Sequence, residues 1–369
     1  MPFKFVEYLK TKKGNLSLIV FFTLLTSFLI YLNISDKSII AKYWDGPNYI
    51  EVAKTLYNIP QNHPFTPYGT TPAYFACHLP MYPLFIRLFA FMSYPVSMIF
   101  VTLLFSVLAT ISFYYLLIEY KCVQSPLFSA LISTFLPIRW LIYHSVGSTE
   151  PMFLFFVFSS LLAYRKNKIV LAMILASLSS VTRIVGILLI AVYFIEFIRT
   201  KRYKQLPLIA IIGIPLFLTF LFYQYQFGDF FAYFSWNSKL INPHILSIYN
   251  TYASNGDLSH SAELYFAFYV IYGLGVLLLW RYPTLFIYSL IFYIFNLFVF
   301  HEDLSRYFLT ITHFTFIVAY DKILNTPQFK IISIFVFYLA LVYATYRIPT
   351  NLVVEPVYQN LMNQLSYPF

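Results

Sequence analysis

Four residues have types and surroundings that suit proton transfer and anion binding: Asp45, Glu150, Arg183 and Arg306. Asp45 lies in AKYWDGPNYIEVAKTLY, just after the first apolar run. A carboxylate between Trp44 and Gly46 at a water–lipid boundary is placed to act as a base. It is equally placed to cap the helix that the pattern predicts from about Asn48. Glu150, in HSVGSTEPMF, opens another apolar run, either as a reacting group or as a favourable charge on a helix N-terminus. Arg183, in SSVTRIVG, falls between two apolar runs, where an arginine must snorkel, pair or serve a site. Arg306, in HEDLSRYFL, has the same two readings, and a guanidinium fork matches phosphate bidentately. His301, Glu302 and Asp303 are adjacent, so their side chains point apart. His63 and His78, in a Pro-rich loop, show no metal-ligand spacing. Motifs for nucleotide, zinc-protease and serine-hydrolase chemistry are absent. Acids and arginines gathered at one membrane face suit a lipid phosphate presented from the bilayer.

The composition sets where such a site can stand. Of 369 residues, 60% are hydrophobic and 10% charged, and the mean hydropathy is +0.71. A soluble domain averages about 25% charged residues. A water-exposed globule of this size is therefore excluded. The net charge of +10 reads as basic cytoplasmic loops, and no nucleic-acid partner is expected. Two cysteines, Cys77 and Cys122, are too few for a disulfide framework and are expected to be inert. The apolar run 16–31 lacks a small-residue cleavage site and reads as a retained first helix.

Lipid forces backbone amides to be satisfied within each segment, so long apolar runs mean helices. The pattern predicts an all-α polytopic membrane protein, a single domain over residues 1–369. About eleven spans are expected, at 16–34, 96–118, 127–143, 151–164, 169–182, 184–198, 206–225, 264–280, 284–300, 308–320 and 331–346. Basic residues orient the chain. Lys4, Lys10, Lys12, Lys13, Lys121, Arg165, Lys166, Lys168, Arg199, Lys201, Arg202, Lys204, Arg281, Lys322 and Lys330 all fall on one side, read as cytoplasmic. The N-terminus is then inside and the tail 347–369 outside. Two outer loops, about 35–95 and 226–263, are too long and too aromatic to be mere connectors. Within the first, Met81 to Met92 suits an interfacial helix.

In this order the residues resemble the GT-C membrane glycosyltransferases. They are nearest to the mannosyltransferase group that includes the phosphatidylinositol-glycan mannosyltransferase II type and its bacterial relatives. YWDGPNYIEVA resembles the W-D-x-x-x-Y-x-x-I-A segment of the first loop, and HLPMYPLFIRL the F-P-L-Y-P-L-L-I-R element after it. The stretch from SVGSTEPMF to SSVTRIVGILL resembles the S-x-S-E-S-L-F helix and the A-S-L-T-R-x-x-G-L stretch. GDFFAYFSW and LSRYFLTITHF resemble later G-D-P-L-A-F and P-R-Y-L-L-P-x-F-P elements. The match runs in ordered pieces over roughly residues 1–320. Pro151 replaces a serine after the glutamate, and Ser305-Arg306 replaces Pro-Arg.

The resemblance implies transfer of a monosaccharide, mannose foremost, from a polyprenyl-phosphate-linked donor to an acceptor hydroxyl on the extracytoplasmic face. It implies inversion, with Asp45 as general base and Glu150 orienting the acceptor or a metal. Arg183, Arg306 and Tyr307 would hold the donor phosphate, and Trp44, Tyr49, His78 and Arg87 are acceptor or loop candidates. A divalent metal is optional, with Asp45 and Glu150 as its ligands, since arginines alone can meet phosphate charge. The acceptor would be a glycan, glycolipid or protein. The expected location is a bacterial inner membrane, which suits the Ile-, Phe-, Tyr-, Lys- and Asn-rich composition, with the endoplasmic reticulum membrane as the alternative. The rival functions are a transporter or flippase of lipid-linked sugars, or an envelope polysaccharide polymerase or ligase. A transporter would place its charges near the bilayer midplane, whereas these collect at one rim.

Overall fold

The computed structural model describes residues 11–256 and 259–366, so Lys4 and Lys10 of the basic set lie outside the described residues. The described chain is helical, with no strand and two isolated bridges. The principal helices are α1 (Lys12–Asn33), α2 (Gly46–Thr55), α3 (Met81–Leu88), α4 (Tyr94–Tyr120), α5 (Pro126–Ile132), α6 (Ile138–Tyr143), α7 (Glu150–Arg165) and α8 (Ile169–Ser180). They continue as α9 (Leu189–Arg199), α10 (Ala210–Phe227), α11 (Ala232–Asn237), α12 (Ser259–Leu278), α13 (Pro283–Leu297), α14 (Leu304–Thr312), α15 (Pro327–Arg347) and α16 (Glu355–Ser366).

Five helical segments are long and apolar enough to cross a membrane: Lys12–Asn33, Tyr94–Tyr120, Tyr203–Phe227, His260–Arg281 and Pro327–Thr350. The other expected spans are shorter or broken. The run 127–143 is not one span but two short helices, α5 and α6. Between them the Ser133 and Thr134 hydroxyls donate to the carbonyls of Ala130 and Leu131, and Pro137 has no N–H to continue a helix. The run 184–198 begins as a 3₁₀ turn over Ile184–Leu188 before α9. The run 308–320 starts earlier, in α14, and passes through a π-helical turn over His313–Val318. The interfacial segment forms α3 and a 3₁₀ turn. It buries Tyr82 and Ile86 and exposes Leu84, Leu88 and Phe91.

Helix α4 spans the bundle, and its two ends define two faces. Near its C-terminal end Lys12 sits over the Tyr115 ring and Arg165 over Tyr120. Arg202 lies over Tyr164, at the end of α7 beside Arg165. Of the described basic set, Lys12, Arg165 and Arg202 therefore group around one end. At the other end, Tyr82 donates to the Met98 carbonyl, and the loop carrying Asp45 packs there. The C-terminal residues join that second face through an antiparallel bridge between Tyr43 and Leu352. Both long loops and the C-terminal helix α16 thus share the face on which the acids and arginines converge.

Candidate active site

Asp45 precedes α2, yet its side chain makes no capping bond to that helix, so the helix-cap reading does not hold. Its Oδ2 instead accepts from Arg306 Nη1 at 3.0 Å. Glu150 is the first residue of α7 and its side chain is only 4% exposed. One oxygen, Oε1, accepts from Arg183 Nη1 at 2.5 Å and from Arg306 Nε at 2.5 Å. Arg306 is therefore held between two carboxylates, with its guanidinium 4.7 Å from the centre of the Tyr143 ring. Segments far apart in sequence meet here because each carries a charge that lipid would penalise and that only the others can pair.

Two further layers fix these groups. Tyr143 donates its hydroxyl to Asp303 Oδ2 at 3.0 Å, and Arg139 pairs with the same oxygen. Burial alone would raise the Asp303 carboxyl, but the charge of Arg139 and its hydrogen bond outweigh that and hold it below the ordinary carboxylate value. On the other side, Arg183 is extended between α8 and the 3₁₀ turn, with its N–H donating to the Ser179 carbonyl at 3.0 Å. Gly186 lets that turn lie directly on α8. A Cβ there would sit 2.6 Å from both Ser179 C and Ser180 N.

The cluster opens into a cavity of about 790 Å³. Asp45, Tyr49, His78, Arg183, Arg306 and Tyr307 give it a polar lining, and aliphatic residues such as Ile184, Ile187, Leu188 and Leu216 an apolar one. Tyr74 and Trp236, from the two long loops, meet edge-to-face at 5.4 Å and complete the wall. His78 is buried and packs edge-on against Tyr49 at 4.9 Å. Burial pushes its imidazole down to about 4, with Asp45 opposing and Arg306 assisting, so it is neutral near pH 7. The Cys77 thiol also lines the cavity and is pushed up to about 12 by burial and by Asp45, so it stays protonated.

Three of the expected site residues stand elsewhere. Glu150 lies behind the cavity, where it fixes Arg183 and Arg306. Trp44 has a left-handed backbone (φ 38°), and its side chain is half-exposed away from the cavity. Arg87 donates to the carbonyls of Ala53 (3.1 Å) and Lys54 (2.6 Å), satisfying the C-terminal end of α2. The sequence reading missed Arg139 and Tyr143, although an arginine inside the apolar stretch LPIRWLIY was the available signal. It also left Tyr74, Tyr233 and Trp236 as unassigned loop aromatics.

For a metal, the donor set does not fit. Both carboxylates already accept from guanidinium groups, and Arg306 stands between them. Among the described residues no three His, Cys, Asp or Glu converge.

No family model matches the sequence, and no curated protein matches it. Among solved structures, the crystal structure of the Archaeoglobus fulgidus oligosaccharyltransferase in the apo form matches with a TM-score of 0.55 at 16% identity. The match covers 98% of this chain and 57% of that one. The chain thus shares an all-helical fold with that neighbour and spans just over half its length. The likeness is one of fold alone and does not reach the phosphatidylinositol-glycan mannosyltransferase group that the sequence resembles.

Proposed function

We propose that the protein is an integral membrane glycosyltransferase. It moves one monosaccharide, mannose foremost, from a polyprenyl-phosphate donor to an acceptor hydroxyl. An alcohol is a poor nucleophile until its proton has somewhere to go, and the Asp45 carboxylate on the cavity wall receives it. The acceptor oxygen then forms a bond to the anomeric carbon. The bond from that carbon to the phosphate oxygen breaks, its electron pair leaves with the phosphate, and the configuration inverts. Arg306 and Arg183 meet the charge that develops on the leaving phosphate, preorganised because Glu150 holds both. Tyr307 is placed to donate a hydrogen bond, and the aliphatic wall takes the first prenyl units.

The donor phosphate competes with Asp45 for Arg306, so donor binding frees the carboxylate for its proton. The observation that carries this reading is the sharing of Arg306 between Asp45 and Glu150 at the polar lining of the cavity. That the fold neighbour is an oligosaccharyltransferase supports glycosyl transfer in general, whereas sugar and acceptor rest on the sequence resemblance. The test is transfer from a polyprenyl-phosphate sugar by the protein in vesicles. Arg306→Ala is expected to raise the donor KM at least tenfold, and Arg281→Ala, outside the cavity, to leave it unchanged. Equal effects would overturn the assignment.

A further inference from the structure

We infer that the segment 350–366 is a positioning strap that sets the place of the Asp45 carboxylate without touching substrate. The inference rests on the reading of Asp45 as the base. None of these residues lines the cavity. They hold the segment 42–55, which carries Asp45, at both of its ends.

On the near side, Trp44 N–H donates to the Asn351 carbonyl at 3.1 Å, and Val353 N–H donates to the Lys42 carbonyl at 3.0 Å. The pair brackets Tyr43 and Leu352, with Tyr43 two residues before Asp45. Trp44 is left-handed there, a conformation that a bulky residue keeps only where its surroundings impose it. The Lys42 ammonium, 9% exposed, pairs with Glu355 Oε2 at 2.7 Å and lies over the Tyr358 ring at 5.1 Å. On the far side, Gln364 Nε2 donates to Glu51 Oε1 at 3.0 Å, and Lys54 donates to the Gln364 carbonyl. Between the two, Val357, Tyr358 and Leu361 of α16 bury into the same apolar cluster as Tyr49, Ile50 and Ala53 of α2.

Arg183, Arg306 and Glu150 are anchored through α7, α8 and α14; Arg306 touches the strapped segment through Asp45, yet Glu150 holds it from the other side. Loosening it therefore moves the base and leaves the phosphate cradle in place. A tail that merely packs for stability would weaken both together.

The test uses the full-length protein in vesicles, with polyprenyl-phosphate mannose as donor. Val353→Pro removes the N–H that bonds to the Lys42 carbonyl. Val353→Ala keeps the N–H. For Val353→Pro we expect at least tenfold faster hydrogen exchange of the amides in 42–49. We expect kcat to fall at least tenfold and the donor KM to stay within twofold, with Val353→Ala close to wild type. Unchanged exchange would overturn the strap. So would faster exchange at unchanged kcat, or kcat and donor affinity lost together. If Val353→Pro does not accumulate, Gln364→Leu must show the same split in smaller degree, and its absence overturns the inference. Wild-type protein that transfers nothing from this donor would count against the proposed function, while the exchange measurement still decides the strap.

Discussion

Replacing Glu150 by Gln is the most informative single perturbation of the charge cluster. In the native site two carboxylates, Asp45 and Glu150, balance two guanidiniums, Arg183 and Arg306. Glutamine keeps the shape of the side chain but removes one negative charge and offers N–H donors toward donors. The two arginine side chains are only 14% and 13% exposed, so water compensates little. Removing one partner of a buried pair costs about 3–5 kcal/mol. The open cavity beside Arg183 and Arg306 places this case at the lower end, about 3 kcal/mol. For a chain of this size that corresponds to a fall in melting temperature on the order of 5 °C.

The assay is thermal unfolding in detergent with and without inorganic phosphate. The variant carries one uncompensated positive charge, so an anion that binds only the folded form should stabilise it more than wild type. At about a hundred times its Kd an anion adds about 2.7 kcal/mol. Glu150→Gln that melts like wild type and gains nothing from phosphate would refute the reasoning that this carboxylate neutralises both arginines.

Two further outcomes follow from the geometry. Gly186→Ala is expected to push the 3₁₀ turn off α8, because its Cβ would meet backbone atoms at 2.6 Å, and to raise the donor KM severalfold by displacing Arg183; steady-state kinetics with an unchanged KM would contradict the tight contact. Glu51 is raised to about 7, chiefly by burial, with Gln364 and Lys54 opposing. The folded state then holds a proton that the unfolded state releases, so stability falls as pH rises from about 4.5 to about 7, by up to about 3 kcal/mol. Glu51→Gln should flatten that dependence in pH-resolved melting curves, and an unchanged slope would count against it.

The parts of this structure legible in the sequence are those where lipid leaves few options. An ionisable residue at the edge of an apolar run needs a reason, and Asp45, Glu150, Arg183 and Arg306 do meet at one site. Sequence did not separate their places: Asp45 faces the cavity whereas Glu150 stands behind it, a difference made by tertiary packing and invisible in spacing. Arg87 read as a loop cation because its partners are two backbone carbonyls of α2, which leave no mark on residue type. The break at 133–137 was hidden by its apolar flanks, although Pro137 and the back-bonding Ser133 and Thr134 supply the cause. The C-terminal strap was not legible either, since two of its five bonds are backbone to backbone and a third ends on a backbone carbonyl.

The central claim is that the Asp45 carboxylate accepts the acceptor's proton beside a phosphate held by Arg306. Single-turnover transfer of labelled sugar from a polyprenyl-phosphate donor, measured for Asp45→Asn at wild-type abundance and with donor binding checked alongside, tests it directly. The expected result is bound donor with transfer reduced at least a thousandfold, about 4 kcal/mol in the barrier. Transfer by Asp45→Asn at the wild-type rate would contradict it.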